Sequence, residues 1–299
     1  MNAALPLVPC PVVTGASGFV GARVAARLGA PATLAMHRGD WREAAEAFDY
    51  RGATVIHLAA RVHDPRARDA DYERDNVEKT TVLAHAAAAA GAARFVFAST
   101  VKVFGEENGA APFTEQDEPR PEDAYARSKW RAEDALDQVS AQTGLPVVVL
   151  RIPLTYGPGV GGNFRELARL ADSGWWLPFG ALANRRSLLY VDDLADAIVL
   201  AAAHEGAPGH TYNVAHPEPV STTRLVGAMR AALGRPRRLF ACPPALLERF
   251  AAMVGRGAQA RRLTRSLEID SSAFTRATGW QARVNLEEGV AALLPRRRA

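Results

Sequence analysis

The segment PVVTGASGFVGARVAARL, residues 11–28, constrains the fold of this chain more than any other stretch. A short apolar run, typical of a strand, leads directly into Gly15, Gly18 and Gly21 and then into a helical pattern. Glycines between a strand and a helix let backbone N–H groups approach a diphosphate at the helix N-terminus, where the helix dipole favours anions. This order predicts a loop that binds a nicotinamide dinucleotide, and the alternative is a merely tight turn.

Strand-like and helix-like stretches alternate through the first two thirds of the chain. Apolar runs predict strands at 11–13, 32–36, 54–60, 94–99 and 145–152. Helical patterns lie between them, and two of these patterns end at a glycine, Gly91 and Gly144, as helices commonly do. The alternation predicts an α/β fold with a doubly wound parallel sheet of the Rossmann type, covered by helices on both faces.

The pattern changes after residue 152, where glycine and proline become frequent and helices and loops dominate the remainder. Two further strand-like stretches, 185–191 and 210–215, indicate that the chain returns to the sheet. We therefore predict a sheet domain that comprises 1–160 and 187–215. A smaller, mostly helical C-terminal lobe that binds the substrate is predicted to comprise 161–186 and 216–299.

Composition narrows the class of protein. The chain has 299 residues, 48% of them hydrophobic and 23% charged, and a net charge of +4, which is typical of a globular protein. Its diffuse positive charge suits an anionic small molecule and predicts no nucleic-acid partner. Cys10 and Cys242 form neither a disulfide framework nor a metal-ligand spacing, so we expect a cytoplasmic protein with no metal site. The apolar N-terminus is broken by prolines and is interpreted as a strand, and no membrane span is expected.

The end of the second predicted strand bears on which dinucleotide binds. An acidic residue at that position accepts the ribose 2′-hydroxyl of NAD, whereas an arginine accommodates the 2′-phosphate of NADP. Here His37 and Arg38 occupy the position, and Asp40 follows too late, so NADP is favoured over NAD. The segment between this strand and residues 54–60 is short, which predicts that one strand of the sheet is missing or merged.

Tyr125 and Lys129 are four residues apart in a helical pattern and therefore lie on one face of the helix. This spacing is weak evidence for function by itself, but the pair follows three other motifs: the glycine loop, HLAA at 57–60 and AST at 98–100. It precedes RIPLTYGPG at 151–159 and RRSLLYVDDLADAI at 185–198. With these motifs in this order, almost the whole chain resembles the extended short-chain dehydrogenase/reductases, in the UDP-glucose 4-epimerase-like (NAD-dependent epimerase/dehydratase) branch. That branch includes reductases of UDP-4-keto-hexosamines in polysaccharide synthesis.

The resemblance implies a catalytic set of Thr100, Tyr125 and Lys129. Tyr125 would exchange a proton with a sugar oxygen while hydride moves between the same sugar carbon and the nicotinamide, and Thr100 would orient that oxygen. The ordinary pKa of tyrosine, about 10, is too high for a base at neutral pH. We expect Lys129 and the positive nicotinamide ring to lower the pKa of Tyr125 towards the working pH.

The resemblance also assigns binding residues. For the cofactor these are Gly15, Ser17, Gly18, Phe19, Val20, Gly21, Arg38, Leu58, Ala59, Ala60, Ser99, Tyr125, Lys129 and Pro153. For the substrate they are Thr100, Lys102, Asn163, Leu177, Pro178, Phe179 and Arg186. Asn163 and Arg186 would hold the diphosphate and residues 177–179 would surround the nucleobase. The substrate would be a nucleotide-diphosphate sugar, and the protein would act as a homodimer.

Two arginines and two tryptophans complete the candidates for the substrate site. Arg262 and Arg265 are weaker candidates for phosphate contact. Trp175 and Trp176 either flank a sugar or base or pack inside the protein.

Several reactions are compatible with this resemblance. Val101 and Lys102 stand where the dehydratases carry an Asp-Glu pair, which argues against elimination of water. A 4-keto reductase exchanges NAD(P)H at each turnover, whereas a UDP-glucose or UDP-N-acetylglucosamine 4-epimerase retains its NAD. Arg38 favours the reductase, with the epimerase as the alternative. A non-catalytic dinucleotide sensor or nucleic-acid-binding protein is a third interpretation, and the presence of Thr100, Tyr125 and Lys129 argues against it.

Overall fold

The computed structural model describes residues 5–37, 39–62, 64 and 66–294, so Arg38 lies outside the described residues. The strands are β1 Pro11–Thr14, β2 Ala32–Leu34, β3 Thr54–His57, β4 Arg94–Thr100, β5 Val147–Ile152, β6 Leu154–Tyr156, β7 Leu188–Tyr190 and β8 His210–Asn213. In the described residues, six of them form one sheet in the order β2-β1-β3-β4-β5-β8, and every neighbouring pair is parallel. The predicted doubly wound parallel fold is confirmed.

In the described residues, helices mostly alternate with strands as far as β8, and five further helices follow it. The helices are α1 Gly21–Leu28, α2 Trp41–Glu46, α3 Asp69–Tyr72, α4 Lys79–Ala89, α5 Ala124–Thr143, α6 Gly162–Asp172, α7 Val191–Ala203, α8 Thr222–Ala232, α9 Pro244–Met253, α10 Gly257–Thr264, α11 Ser272–Thr278 and α12 Leu286–Leu293. A π-helical segment, Glu73–Glu78, joins α3 to α4, and a single turn, Val101–Phe104, follows β4. No described helix is both long and apolar enough to cross a bilayer.

Alternate residues of the strands supply the two main apolar cores. Val13, Ile56 and Val148 point to the face covered by α1, α7 and α11. Val55 and Phe95 point to the opposite face, which α4 and α5 cover. Burial on both faces explains why these strands are apolar along their whole length rather than at every second residue.

The sheet has six described strands, but on the side of β2 it has one strand fewer than the usual doubly wound order. β2 is an edge strand, and the described residues between β2 and β3 contain α2 and turns but no further strand. The prediction that one strand is missing is therefore confirmed within the described part of the chain. Because the chain between β2 and β3 is short, it has room for only one small helix before β3 begins.

The C-terminal lobe has an apolar core of its own, to which α6, α8 and α12 contribute Phe164, Val226 and Val290. The parallel pair of β6 and β7 lies between the two parts of the molecule. Leu188 packs into the lobe core, whereas its neighbour Leu189 packs into the core of the sheet. The domain boundaries given above remain predictions, since this pair belongs to both cores.

Candidate active site

The glycine loop lies tightly against the end of β3. Gly15 has φ +71°, and a Cβ at this position would lie 2.7 Å from the backbone nitrogen of Ala59. A Cβ at Gly21 would lie 2.0 Å from the carbonyl oxygen of Gly15, so the first turn of α1 packs directly on the loop. Among the described residues no side chain caps the N-terminus of α1, and Ser17 and Gly18 are exposed. The exposed loop backbone at the start of a helix and the absence of Cβ atoms fit a dinucleotide diphosphate at this point.

Several other predicted cofactor residues lie in this loop or directly after strands β3 and β5. Phe19 leans towards the lobe core and Val20 towards the core of the sheet. The predicted strand 54–60 ends at His57, and Leu58 to Ala60 leave the sheet. Their direction is still set by β1, because the backbone nitrogen of Leu58 donates to the carbonyl oxygen of Thr14 at 3.2 Å. Pro153, directly after β5, is buried.

Helix α5 presents the predicted catalytic pair from its first turns. Asp123 caps the helix, because its carboxylate accepts a hydrogen bond of 2.7 Å from the backbone nitrogen of Ala126. Tyr125 and Lys129 follow on one face, and the Tyr125 hydroxyl is within hydrogen-bonding reach of Thr100, the last residue of β4. The structure therefore brings together the three predicted catalytic side chains at the carboxyl edge of the sheet, where doubly wound folds bind their ligands.

The pKa of Tyr125 differs from the prediction. Burial raises the pKa of Tyr125 to about 12, and the hydrogen bond from Thr100 only partly opposes this shift. Burial also lowers the pKa of Lys129 to about 7, so this side chain carries less than a full charge near neutral pH. The expected lowering of the tyrosine pKa by Lys129 is therefore not found among the protein's own residues. Desolvation is the larger effect on both groups.

Below Lys129, a buried ion pair that the sequence analysis missed continues the same face of α5. Glu133 accepts hydrogen bonds from Arg151 of β5, at 2.7 Å from Nη2 and 3.1 Å from Nε. It also accepts one from the hydroxyl of Ser99, so this predicted cofactor residue points to Glu133. Lys129 itself is 2% exposed, and its Nζ lies 3.8 Å from the centre of the Phe97 ring. The spacing of Lys129 and Glu133, four residues apart, was the available sequence signal.

A buried chain of hydrogen bonds connects the glycine loop to α5. The Thr14 hydroxyl lies 2.6 Å from His57 Nδ1, and His57 Nε2 lies 3.0 Å from the Thr80 hydroxyl. Thr80 donates in turn to the backbone carbonyl of Asn76, whose side-chain amide donates to Ser128 Oγ at 2.9 Å. Burial lowers the pKa of His57 to about 3, so the ring is neutral. Asn76 lies in the π-helical segment, a conformation frequent at functional sites, and no sequence spacing identified it.

A cleft of about 400 Å³ opens beside the start of α5. It is lined by Glu106, Glu107, Glu122, Asp123, Ala258, Arg261, Arg262 and Arg265. Lys102, a predicted substrate contact, reaches Glu106 Oε1 at 2.7 Å and also pairs with Asp123. Arg186 donates to the backbone carbonyl of Arg265 at 3.1 Å, and burial lowers the pKa of Arg186.

The remaining predicted substrate residues lie in the lobe. Asn163 is exposed in the first turn of α6. Leu177 and Phe179 are 3% and 4% exposed and pack in the lobe core, so their side chains do not line an open surface. Pro178 between them is partly exposed. Within the described residues no group of three His, Cys, Asp or Glu side chains is arranged to hold a metal ion.

The chain is similar to known proteins over most of its length. Residues 12–215 match the model of the NAD dependent epimerase/dehydratase family. UDP-glucose 4-epimerase of Vibrio cholerae is 35% identical over 241 residues, which cover 79% of this chain and 74% of that protein.

Solved structures show the same fold. RMD from Pseudomonas aeruginosa, complexed with NADPH, has a TM-score of 0.75 at 25% identity, covering 95% of this chain and 97% of that one. UDP-glucose 4-epimerase of Thermotoga maritima, with UDP-glucose, has a TM-score of 0.75 at 22% identity and the same coverage, which shows the fold alone.

Proposed function

The chain belongs to the NAD-dependent epimerase/dehydratase family, and we propose that within it the protein reduces a 4-keto sugar of a UDP-hexose. The resemblance predicted from the motifs is thereby confirmed. Family membership makes the protein an NAD(P)-dependent enzyme of sugar nucleotides, of the extended short-chain dehydrogenase type. Which reaction it carries out on the sugar, and which cofactor it prefers, are the parts that we propose.

The observation that carries the proposal is the state of Tyr125 beside Thr100. A phenol whose pKa is raised to about 12 by burial keeps its proton at neutral pH and is therefore a proton donor. Reduction of a ketone requires such a donor, because the carbonyl oxygen must gain a proton as hydride reaches its carbon. An epimerase would use the same phenol first as a base and then as a proton donor, so the choice of the reductase rests on Arg38, which favours an exchangeable NADP cofactor.

Each residue of the site has a role in this proposal. NAD(P)H, when bound, supplies the hydride. The loop of Gly15, Gly18 and Gly21 holds the cofactor diphosphate with backbone amides. Thr100 orients the sugar carbonyl, and Tyr125 donates its proton to that oxygen. Lys129 lies one turn below Tyr125 on the same face of α5, where we propose that it contacts the bound cofactor.

The cleft next to α5 supports a nucleoside diphosphate as the part of the substrate that the protein binds. Arg262 and Arg265 lie on its wall, and Arg186 is close enough to this wall for Glu106 and Arg262 to influence its pKa. Guanidinium groups are well suited to bind diphosphates through paired hydrogen bonds. We propose that these arginines and Asn163 hold the diphosphate of the sugar nucleotide, and that the protein acts as a homodimer.

The preference for NADP is proposed from Arg38, which lies outside the described residues. An arginine after the second strand accommodates a 2′-phosphate. NADPH in the similar structure of RMD is consistent with this choice. NAD is the alternative.

A 4-epimerase is the second candidate, since the relative from Vibrio cholerae bears that name. One experiment separates the two. Purified protein is incubated with UDP-hexoses and with UDP-4-keto-hexoses, each with and without NADPH, and the products are analysed. A reductase consumes one NADPH for each keto sugar converted. Interconversion of UDP-hexoses without net loss of cofactor would instead establish the epimerase, and conversion by Tyr125→Phe at the wild-type rate would remove Tyr125 from either mechanism.

A further inference from the structure

Helix α9 has an apolar face that no other part of the structure covers. It is described along its whole length, and none of its side chains is buried. Leu246, Phe250 and Met253 are 43%, 58% and 75% exposed, and their spacing of four and three residues places them on one face. Leu247 packs from the other side against the lobe core. The helix is thus attached by one side and open on the other.

Further exposed apolar side chains lie in two segments that pair with each other just before α9. The segment after Gly174 runs beside the segment before α9, because Leu177 and Phe240 share a backbone hydrogen bond of 3.0 Å. Trp175 and Trp176 are 74% and 64% exposed, so neither packs inside the protein. The interpretation that these two tryptophans pack inside the protein is wrong.

We call the whole surface the lobe face. It consists of Trp175, Trp176, Phe240, Leu246, Phe250, Met253 and Val254. These are seven of the eleven large hydrophobic side chains that are exposed in the described part of the chain. Single exposed hydrophobic residues are ordinary, but a cluster of this kind marks an interaction site.

The segment that contains α9 is rich in arginine. Residues 235–265 contain eight arginines and only one acidic residue, Glu248. Arg237, Arg249, Arg256 and Arg261 are exposed and form no ion pair with any described acidic side chain. The partner of this face therefore has to accept both apolar side chains and several unpaired guanidinium groups.

We propose that the lobe face docks on the surface of a bilayer that contains anionic lipid. A helix with Phe and Leu on one face and arginines beside it is typical of segments that lie in the membrane interface, where lipid phosphates pair with the arginines. Tryptophan is enriched at the same depth. The protein would thus work on its sugar nucleotide while attached to a membrane surface.

Two other occupants fit these observations less well. A symmetric contact between two copies would bring the arginines of both copies into one interface, with Glu248 as the only acidic residue of 235–265 to offset them. A nucleic acid would pair with the arginines and stack on the tryptophans, but it offers nothing to the aliphatic Leu246, Met253 and Val254.

Vesicle flotation with the full-length protein tests the proposal. We expect binding to vesicles of phosphatidylcholine mixed with phosphatidylglycerol, little binding to phosphatidylcholine alone, and release as the salt concentration rises. The double variant Phe250→Asp, Met253→Asp should bind at least about tenfold more weakly, because charged groups replace the apolar side chains that enter the interface. Leu7→Asp is the matched control, since Leu7 is 90% exposed and lies outside the lobe face; this variant should bind as the wild type does.

The same variants show whether the proposal is wrong. Circular dichroism and turnover of the double variant in solution should equal those of the wild type, because Phe250 and Met253 belong to none of the described apolar cores and do not line the cleft beside α5. Equal vesicle binding by wild type and double variant would overturn the proposal, as would no binding to anionic vesicles at all. If the double variant instead changes a dimer into a monomer in light scattering and neither protein binds vesicles, the lobe face is a contact between copies.

Discussion

Helices α5 and α9 both depart from the usual distribution, in which charged side chains are exposed and apolar side chains are buried. On α5 the charged residues Lys129 and Glu133 are 2% and 4% exposed, although both groups lose hydration on burial. On α9 the apolar residues Phe250 and Met253 are more than half exposed, although burial would stabilise them. Such departures from the ordinary pattern mark function, because folding alone would favour neither.

The two helices are also held in place differently. α5 has twenty residues, a carboxylate cap at Asp123 and a left-handed Gly144 at its end. Leu136 is fully buried against the sheet, and burying such a side chain contributes about 1.5–3 kcal/mol. This apolar packing offsets the cost of the buried charges. α9 has ten residues, too few for a stable isolated helix, and it packs mainly on α10.

The largest effect is expected for Tyr125, in the first turn of α5. Tyr125→Phe should lower kcat by about 10²–10⁴-fold, because the proton donor is lost while the helix and its packing remain. Cofactor affinity, measured by fluorescence titration, should change little. Phe250→Ser on α9 is the matched comparison and should leave kcat unchanged in solution. A Tyr125→Phe variant with normal turnover would show that the buried face of α5 is not the catalytic face.

Removing one partner of the buried ion pair should be the next largest effect. Glu133→Ala leaves Arg151 charged in a site where its side chain is only 8% exposed, and its Nη1 already has no partner among the described residues. We expect the free energy of unfolding to fall by about 3–5 kcal/mol. Urea denaturation of the variant and the wild type measures this change.

The double variant Glu133→Met, Arg151→Met is the control for that measurement. It removes both charges and fills similar volume, so it should recover much of the stability lost in Glu133→Ala. If Glu133→Ala is as stable as the wild type, leaving Arg151 buried without its partner costs no free energy of unfolding. The comparison between α5 and α9 would then have no energetic basis.

Stability should depend on pH through Lys129. Its pKa is lowered from 10.5 to about 7 by burial, so between these values the unfolded chain binds more protons than the folded protein does. The stability of the wild type should therefore rise with pH between about 7 and 10, relative to Lys129→Met, and this gain should be absent below pH 7. Tyr125 does not interfere in this window, because its pKa is above the ordinary value of 10.

Urea denaturation at several pH values checks the sign of that dependence. The difference between wild type and Phe250→Ser should stay constant over the same range, because that substitution on α9 removes no titratable group. A flat difference for Lys129→Met would show that the lysine is as well solvated in the folded protein as in the unfolded chain.

The smallest effect is expected on α9. Phe250→Ser should change the free energy of unfolding by less than about 0.5 kcal/mol, as surface substitutions usually do. Leu136→Ala on α5 should cost about 2–5 kcal/mol, since its side chain is fully buried. Thermal unfolding of the two variants compares them directly. A large loss in Phe250→Ser would mean that α9 packs against another part of this chain in solution.

Much of the fold followed from local patterns. The apolar strands, the helices that end at Gly91 and Gly144, and the glycine loop each depend on neighbouring residues, so the order of strands and helices was predictable. The missing strand followed from the short segment before β3. The Tyr125 and Lys129 pair was also local, since residues four apart share one helical face.

Other features could not be predicted because they depend on contacts between distant segments. Arg151 meets Glu133 only because β5 lies beneath α5, and Asn76 meets Ser128 only because the π-helical segment crosses the start of α5. The effect of the protein's own residues on the pKa of Tyr125 could not be predicted for the same reason: burial raises it, whereas the expected lowering included the bound nicotinamide ring. The surroundings of Tyr125 include Thr100 and Tyr72, which are distant from it in the sequence.

The sequence by itself determined the class of fold, the glycine loop and the candidate catalytic side chains, because all of these depend on the order and spacing of nearby residues. Only the tertiary structure decided which groups lose contact with water. The apolar residues of α9 resemble core residues in the sequence and are exposed, whereas Lys129, Glu133 and Arg151 resemble surface residues and are buried. Exposure is a property of the assembled chain, and the pKa values, the ion pair and the lobe face all follow from it.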